Sequence, residues 1–349
     1  MVPRSLAIVR STLRRHRSRA LARAVAASLL VGLVSPSWAS PVSAQTYPGA
    51  NVSFYVTTKS TQWHYDRGCS LGTVRANGSA PQDGLVILAY GQTRKSGTTF
   101  GASMFSAAGG VPITTTEIEA AVHEFARGFW LCTGANTTAH VRIAVGTSNN
   151  FLATVLGDAT TSVTNHGKAW ADMVDNTNAG LGSIASQADV VGASDLEVSW
   201  STFAVAKRWV DGYDLVNSWH MYDFGDAVGC PLSGSTATPG ACNNGWTQDS
   251  VRYVAWGAPS AWPVPEIYHT DGSSAKRWQQ VSKYSQLKYG TRMTFLVSLT
   301  QRAACSADPN CPSSTNNTAQ QGWQWLYDRF NSDPGTAQTI RWATDIKWS

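Results

Sequence analysis

From residue 45 onward the chain is patterned in short runs that are apolar throughout or alternate apolar with polar, the period of strands buried on one or both faces. Four runs come first: NVSFYVTT (51–58), GLVILAYGQ (84–92), HVRIAVGTSN (140–149) and ADVVGASDLEVSW (188–200). Four more follow: YDLVNSWHMYDFG (213–225), SVRYVAWG (250–257), WPVPEIYH (262–269) and TRMTFLVSLTQ (291–301). Val, Ile, Tyr and Phe dominate them, and most carry no helical period.

Helical patterns lie between several of these runs. TTTEIEAAVHEFARGFWLC (114–132) opens on threonines before Glu117 and keeps Ile118, Ala121, Val122 and Phe125 on one face, a capping pattern followed by an amphipathic stripe. STFAVAKRWVDGY (201–213) offers Ser201 as N-cap and Gly212 as stop, and residues 271–286 and 316–331 read similarly. Strands alternating with helices predict parallel strands covered by helices. Eight of them in about 250 residues match a TIM-type (β/α)8 barrel in a single domain. An open doubly wound sheet is the alternative, but no GxGxxG follows the first strand and no GxxxxGK[ST] occurs, so its nucleotide-binding versions lose their main support. The barrel count is thinnest between the sixth and seventh runs, which are separated only by a short APSA link.

The first 44 residues are different. Arginines, then an apolar stretch, then the small residues Val42-Ser43-Ala44 predict a secretory signal peptide of a bacterial kind, cut near Ala44, with residues 45–349 as the barrel domain. Arg23 interrupts the apolar stretch and leaves it short of the ~20 residues that span a bilayer, so no stable membrane insertion is expected after cleavage. Seven of the 27 Lys and Arg lie in this leader, which holds no Asp or Glu; the other 20 face 22 acids, and the mature charge is about −2. The positive charge of the whole chain therefore belongs to the leader, and nothing points to nucleic acid as a partner.

Six cysteines in an exported chain suit disulfides. Cys230/Cys242 and Cys305/Cys311 each bracket a loop rich in Gly, Pro, Ser or Asn, which predicts local pairs that staple loops and leaves Cys69 with Cys132. With no CxxC and no nearby paired His, zinc spacing is lacking. HEFAR at His123 lacks the second His of HExxH, and no GxSxG occurs. No metal or cofactor is expected.

Working residues of such barrels gather where strands end. Asp195 and Glu197 end the fourth run at spacing i, i+2, on one side of the strand. Neighbouring carboxylates raise each other's proton affinity, so one can remain an acid near neutral pH and protonate the leaving oxygen of a glycosidic bond. Glu266, assigned to strand seven across the mouth, is the candidate second carboxylate beside Asp195. Tyr90, Gln92, Asn149, His220, Tyr222, Asp223, Trp256, Tyr268 and Gln301 fall near other strand ends and are candidate substrate-binding residues. Fourteen Trp in the mature chain suit stacking on sugar faces, although most Trp in a large domain are core.

The strand-four DLE and the run PEIYHTDGSSAKRWQQ resemble secreted glycoside-hydrolase-like (β/α)8 proteins, including family-25 muramidases and related uncharacterised actinobacterial barrels. That resemblance implies Glu197 as proton donor with Asp195 as its partner, assisted by the substrate's N-acetyl group. Two departures stand out: NVSFYVTT lacks the strand-one Asp of the muramidases, and Leu196 replaces the Asn that precedes the acid in glycosidases using strand-four and strand-seven glutamates. The expected function is a secreted, monomeric hydrolase of a polysaccharide or peptidoglycan. The alternatives are an inactive barrel serving as a carbohydrate-binding or cell-surface protein, and a hydrolase of another bond using His220 and Asp223.

Overall fold

The computed structural model describes residues 45–349 except 79–81, 107–108 and 135. The predicted signal peptide, residues 1–44, lies outside the described residues. β1 (Ala50–Tyr55) precedes α1 (Thr61–Ala76), and β2 (Asp83–Ser96) continues into an antiparallel hairpin, β3 (Thr99–Met104) and β4 (Val111–Thr114), before α2 (Thr115–Cys132). β5 (His140–Ser148) is followed by α3 (Leu152–Leu156) and α4 (Thr161–Gly180), and β6 (Ala188–Asp195) by α5 (Phe203–Asp214). Then come β7 (Met221–Asp223), α6 (Gln248–Arg252), β8 (Ala261–Pro263), α7 (Ser273–Tyr289), β9 (Val297–Thr300), α8 (Arg302–Cys305), α9 (Ala319–Asn331) and β10 (Trp342–Trp348).

The sheet runs β8-β7-β6-β5-β2-β1-β10-β9 with every neighbour parallel, and the hairpin hangs off β2. Its edges meet just beyond β8, where Glu266 bridges Leu299. There Ile267 donates its N–H to Leu299 O at 2.8 Å and Leu299 donates to Pro265 O at 3.1 Å. The fold is mixed α/β around a nearly closed eight-stranded parallel barrel sheet.

Strand alternation decides which side chains fill it. Leu85, Ile87 and Ala89 of β2, Val191 and Ala193 of β6, and Leu299 and Ile346 pack together inside the sheet. Their neighbours Val86, Leu88, Tyr90 and Val190 pack outward with the helices. Strands buried on both faces read as continuous apolar runs. The predicted α2 start is present as a capping box between Thr114 and Glu117. Helices α1 and α2 touch backbone to backbone: a Cβ at Gly68 would sit 1.9 Å from Phe125 O. The Cys69–Cys132 disulfide joins the same pair, and Cys230–Cys242 and Cys305–Cys311 are bonded as predicted.

Sequence pattern and structure agree on eight barrel strands only because two differences offset each other. Residues 250–257, predicted as strand six, are α6 and a π-helical turn; Val251, Val254 and Ala255 are buried at helical spacing, and the Thr247 side chain caps Ser250 N–H. The true eighth strand, β10, was not read at all, because polar Thr344, Asp345 and Lys347 interrupt its apolar pattern. Glu266 therefore follows the sixth barrel strand rather than lying in the seventh, and Gln301 follows the seventh rather than the eighth. Tyr213 and Asp214 are the end of α5 and residues 215–216 a turn after it, leaving only Met221–Asp223 as the fifth barrel strand.

Candidate active site

Parallel pairing brings all strand C-termini to one mouth. Tyr55 ends β1, Asp195 ends β6 and Trp348 ends β10, while Glu266 lies three residues beyond the end of β8 and Gln301 directly follows β9. Asp195, Glu197 and Glu266 each place a carboxylate oxygen within 4.8 Å of the others. Two cavities share Glu197, Glu266, Tyr268 and Gln301. One, of about 280 Å³, is walled by Asp195, Trp200 and an aromatic group of Tyr55, Phe105 and Trp348. Tyr55 lies 4.8 Å from Trp348 and 5.2 Å from Phe105, ring centre to ring centre. The other, of about 240 Å³, is walled by Asp226, His269, Ser274 and Arg277.

Asn149 holds Glu197 in place through its backbone. Its Oδ1 accepts from Glu197 N–H at 3.1 Å and its Nδ2 donates to Glu197 O at 2.9 Å. Asp195 is 8% exposed and its Oδ1 is buried with no hydrogen-bond partner. Glu266 is 6% exposed, and the Tyr55 and Tyr268 hydroxyls stand 3.5 Å apart.

Burial in an acid-rich site makes ionisation costly. The Glu197 carboxyl is pushed up to about 8, first by burial and then by Asp226. Burial and the charge of Glu197 hold Asp195 well above the usual carboxylate range, and burial followed by Asp195 and Glu197 does the same to Glu266. Asp223 is also raised by burial, to about 8. The phenols of Tyr55 and Tyr268 are raised by burial and the nearby acids. Near neutral pH Glu197 holds a proton ready for transfer, and burial and neighbouring charge bias Asp195 and Glu266 in the same direction. The three acids also form an oxygen-only donor set of the kind that suits Ca²⁺, Mg²⁺ or Mn²⁺, but a cation there would have to displace that proton.

Of the candidate substrate-binding residues, Tyr268 and Gln301 line both cavities. Asn149 positions Glu197 instead, and Asp223 is buried beside the cluster, accepting from Gly225 N–H at 3.1 Å. The others lie elsewhere. Tyr90 points outward by alternation and its hydroxyl meets His64 Nε2 at 2.9 Å. Gln92 turns to Asn150 O at 3.0 Å. His220 precedes β7 at the opposite end of the barrel, where Arg142 pairs with Asp189 at 2.6 Å and donates to the Tyr222 hydroxyl at 3.1 Å. Trp256 packs edge-on to Trp262, 5.2 Å away, and Trp262 in turn lies 5.2 Å from His220. His220 and Tyr222 were misplaced because a short strand has two ends close in sequence, and Trp256 because it sits in a π-helical turn rather than at a strand end; across β7, His220 and Asp223 lie about 10 Å apart along the chain and form no dyad.

Tyr55, Phe105, Trp200, Asp226, His269, Arg277 and Trp348 were not identified from sequence. Tyr55 carried a usable signal as an aromatic near the end of a correctly read strand, whereas Trp348 belongs to the unread one. Compared with known proteins, the chain matches no family model and no curated protein sequence.

Proposed function

We propose that the chain is a secreted, monomeric glycoside hydrolase, a single-domain TIM-type (β/α)8 barrel that cleaves O-glycosidic bonds of a polysaccharide or peptidoglycan. The observation that carries this reading is the carboxylate trio at the barrel mouth, with oxygens within 4.8 Å, beside an aromatic-walled cavity. Glu197, raised to about 8, is protonated at neutral pH and supplies the proton for the departing glycosidic oxygen. Asp195 or Glu266 is the second carboxylate, acting as nucleophile or orienting a substrate N-acetyl group.

The trio's spacing bears on the stereochemistry. Inversion needs room for a water between carboxyls about 6.5–9.5 Å apart, whereas retention uses about 5–5.5 Å. The close trio favours retention. Tyr55, Trp200 and Trp348 offer ring faces to the apolar faces of sugars. Three disulfides suit the oxidising compartment to which a cleaved leader would send the chain. Among the described residues no helix is long and apolar enough to cross a membrane.

The test is reducing-end release from peptidoglycan, chitin and a panel of glucans by the purified chain, with Glu197→Gln alongside. Turnover by the wild type that falls ~10²–10⁴-fold in the variant supports Glu197 as the acid. Turnover that survives the substitution removes Glu197 from that role. Sugar binding with no turnover on any polymer supports the inactive carbohydrate-binding barrel instead.

A further inference from the structure

The second cavity has a chemistry that the trio does not use. Arg277, in the first turns of α7, lines it with His269, Ser274 and Asp226. The Arg277 Nε is buried with no hydrogen-bond partner. Its guanidinium joins none of the seven ion pairs found among the described residues. Asp226, the acid in the same wall, turns its Oδ1 to the N–H groups of Val198 and Val228, at 3.4 and 3.3 Å. A guanidinium offers five donors in a planar fork that matches a carboxylate, and the fork here is left unfilled.

We propose that this cavity is a subsite for the carboxylate of an acidic sugar, a uronate or similar unit, received by Arg277 with His269 beside it. The inference rests on the glycosidase reading for its occupant, because the cavity is continuous with the trio through Glu197, Glu266, Tyr268 and Gln301. A ring seated at the trio would therefore have a neighbouring ring in contact with Arg277. Glu197, pushed up to about 8, holds its proton near neutral pH and so adds little negative charge against an anion there. The substrate class becomes an anionic glycan with its carboxylate one unit from the cleaved bond.

Binding separates this claim from catalysis. Glucuronate, its methyl ester, glucose and inorganic phosphate would each be titrated by NMR into the wild type, Glu197→Gln, Arg277→Met and Arg277→Lys, with melting curves to check folding. The expected result is glucuronate binding in the wild type and in Glu197→Gln, at least tenfold weaker binding of the ester and of glucose, and at least tenfold loss in Arg277→Met. Arg277→Lys keeps the charge without the fork and should fall between; it serves as the decisive variant if the Met variant does not fold. Glucuronate binding that is absent, unchanged by loss of the guanidinium, or matched by the ester overturns the subsite. Phosphate bound as tightly as glucuronate also overturns it, in favour of a general anion site. Failure of the glycosidase reading would appear separately, as an absence of turnover despite Arg277-dependent binding.

Discussion

Glu197 is the residue on which chemistry and stability pull in opposite directions. Its folded-state value of about 8 lies above the ordinary 4.5 of a glutamate, so between those values the folded chain keeps a proton that the unfolded chain releases. Stability therefore falls as pH rises from about 4.5 to 8, by at most about 1.4 kcal/mol per pH unit for one proton. Glu197→Gln removes this penalty. Thermal melts should show the variant several degrees more stable than the wild type at pH 8, at roughly 2–4 °C per kcal/mol, with the difference vanishing near pH 4. A variant less stable than wild type at pH 8 would contradict the burial argument. Turnover should follow the same proton, declining as pH rises through about 8. Its acidic limb should lie above the usual carboxylate range, because the second carboxylate must ionise against burial and its neighbours. Asn149 tests positioning. Asn149→Ala removes both hydrogen bonds to the Glu197 backbone, at about 0.5–1.5 kcal/mol each. The expected outcome is a lower kcat with a smaller change in KM and a displaced alkaline limb, measured on whichever polymer the wild type cleaves.

At the level of elements, the end of β6 and the loops after β6 and β8 build the carboxylate trio, while the helical layer builds rigidity. The closest backbone approach between α1 and α2 depends on Gly68 and Gly128, where added Cβ atoms would sit 1.9 and 2.2 Å from the carbonyl oxygens of Phe125 and Tyr65. Gly68→Ala should force the helices apart and cost about 1–3 kcal/mol, visible as a lower denaturation midpoint, yet leave the pH profile of turnover unmoved because the pair lies outside both cavities. A shifted pH profile would mean that the helical layer tunes the site. Elements with one clear period were readable in advance: α2 declared itself by Thr114, Glu117 and its apolar stripe, and β2, β5 and β6 by their apolar runs. Residues 250–257 misled because eight residues with aromatic and β-branched side chains satisfy a strand or a short buried helix equally well.

Across the whole molecule, closure converts scattered strand ends into one site. Asp195, Glu197 and Glu266 were legible as candidates because acids at the ends of apolar runs stand out, and the three cysteine pairs because loop lengths left few sensible partners. The wrongly placed His220, Tyr222 and Trp256 mark the limit of that logic: a one-dimensional run does not say which barrel face a residue three positions away will join. What the chain determined by itself is local and periodic: the strand-helix alternation, the caps, the disulfide pairing and the clustering of acids. Only the tertiary structure decided which strand closes the barrel, that Glu266 follows the sixth strand rather than lying in the seventh, and that Tyr55, Trp348 and Arg277 share the mouth with the trio. The reason is physical. Periodicity reports whether a side chain is buried, through the water it avoids, whereas the partners it meets are set by sheet closure between residues hundreds of positions apart.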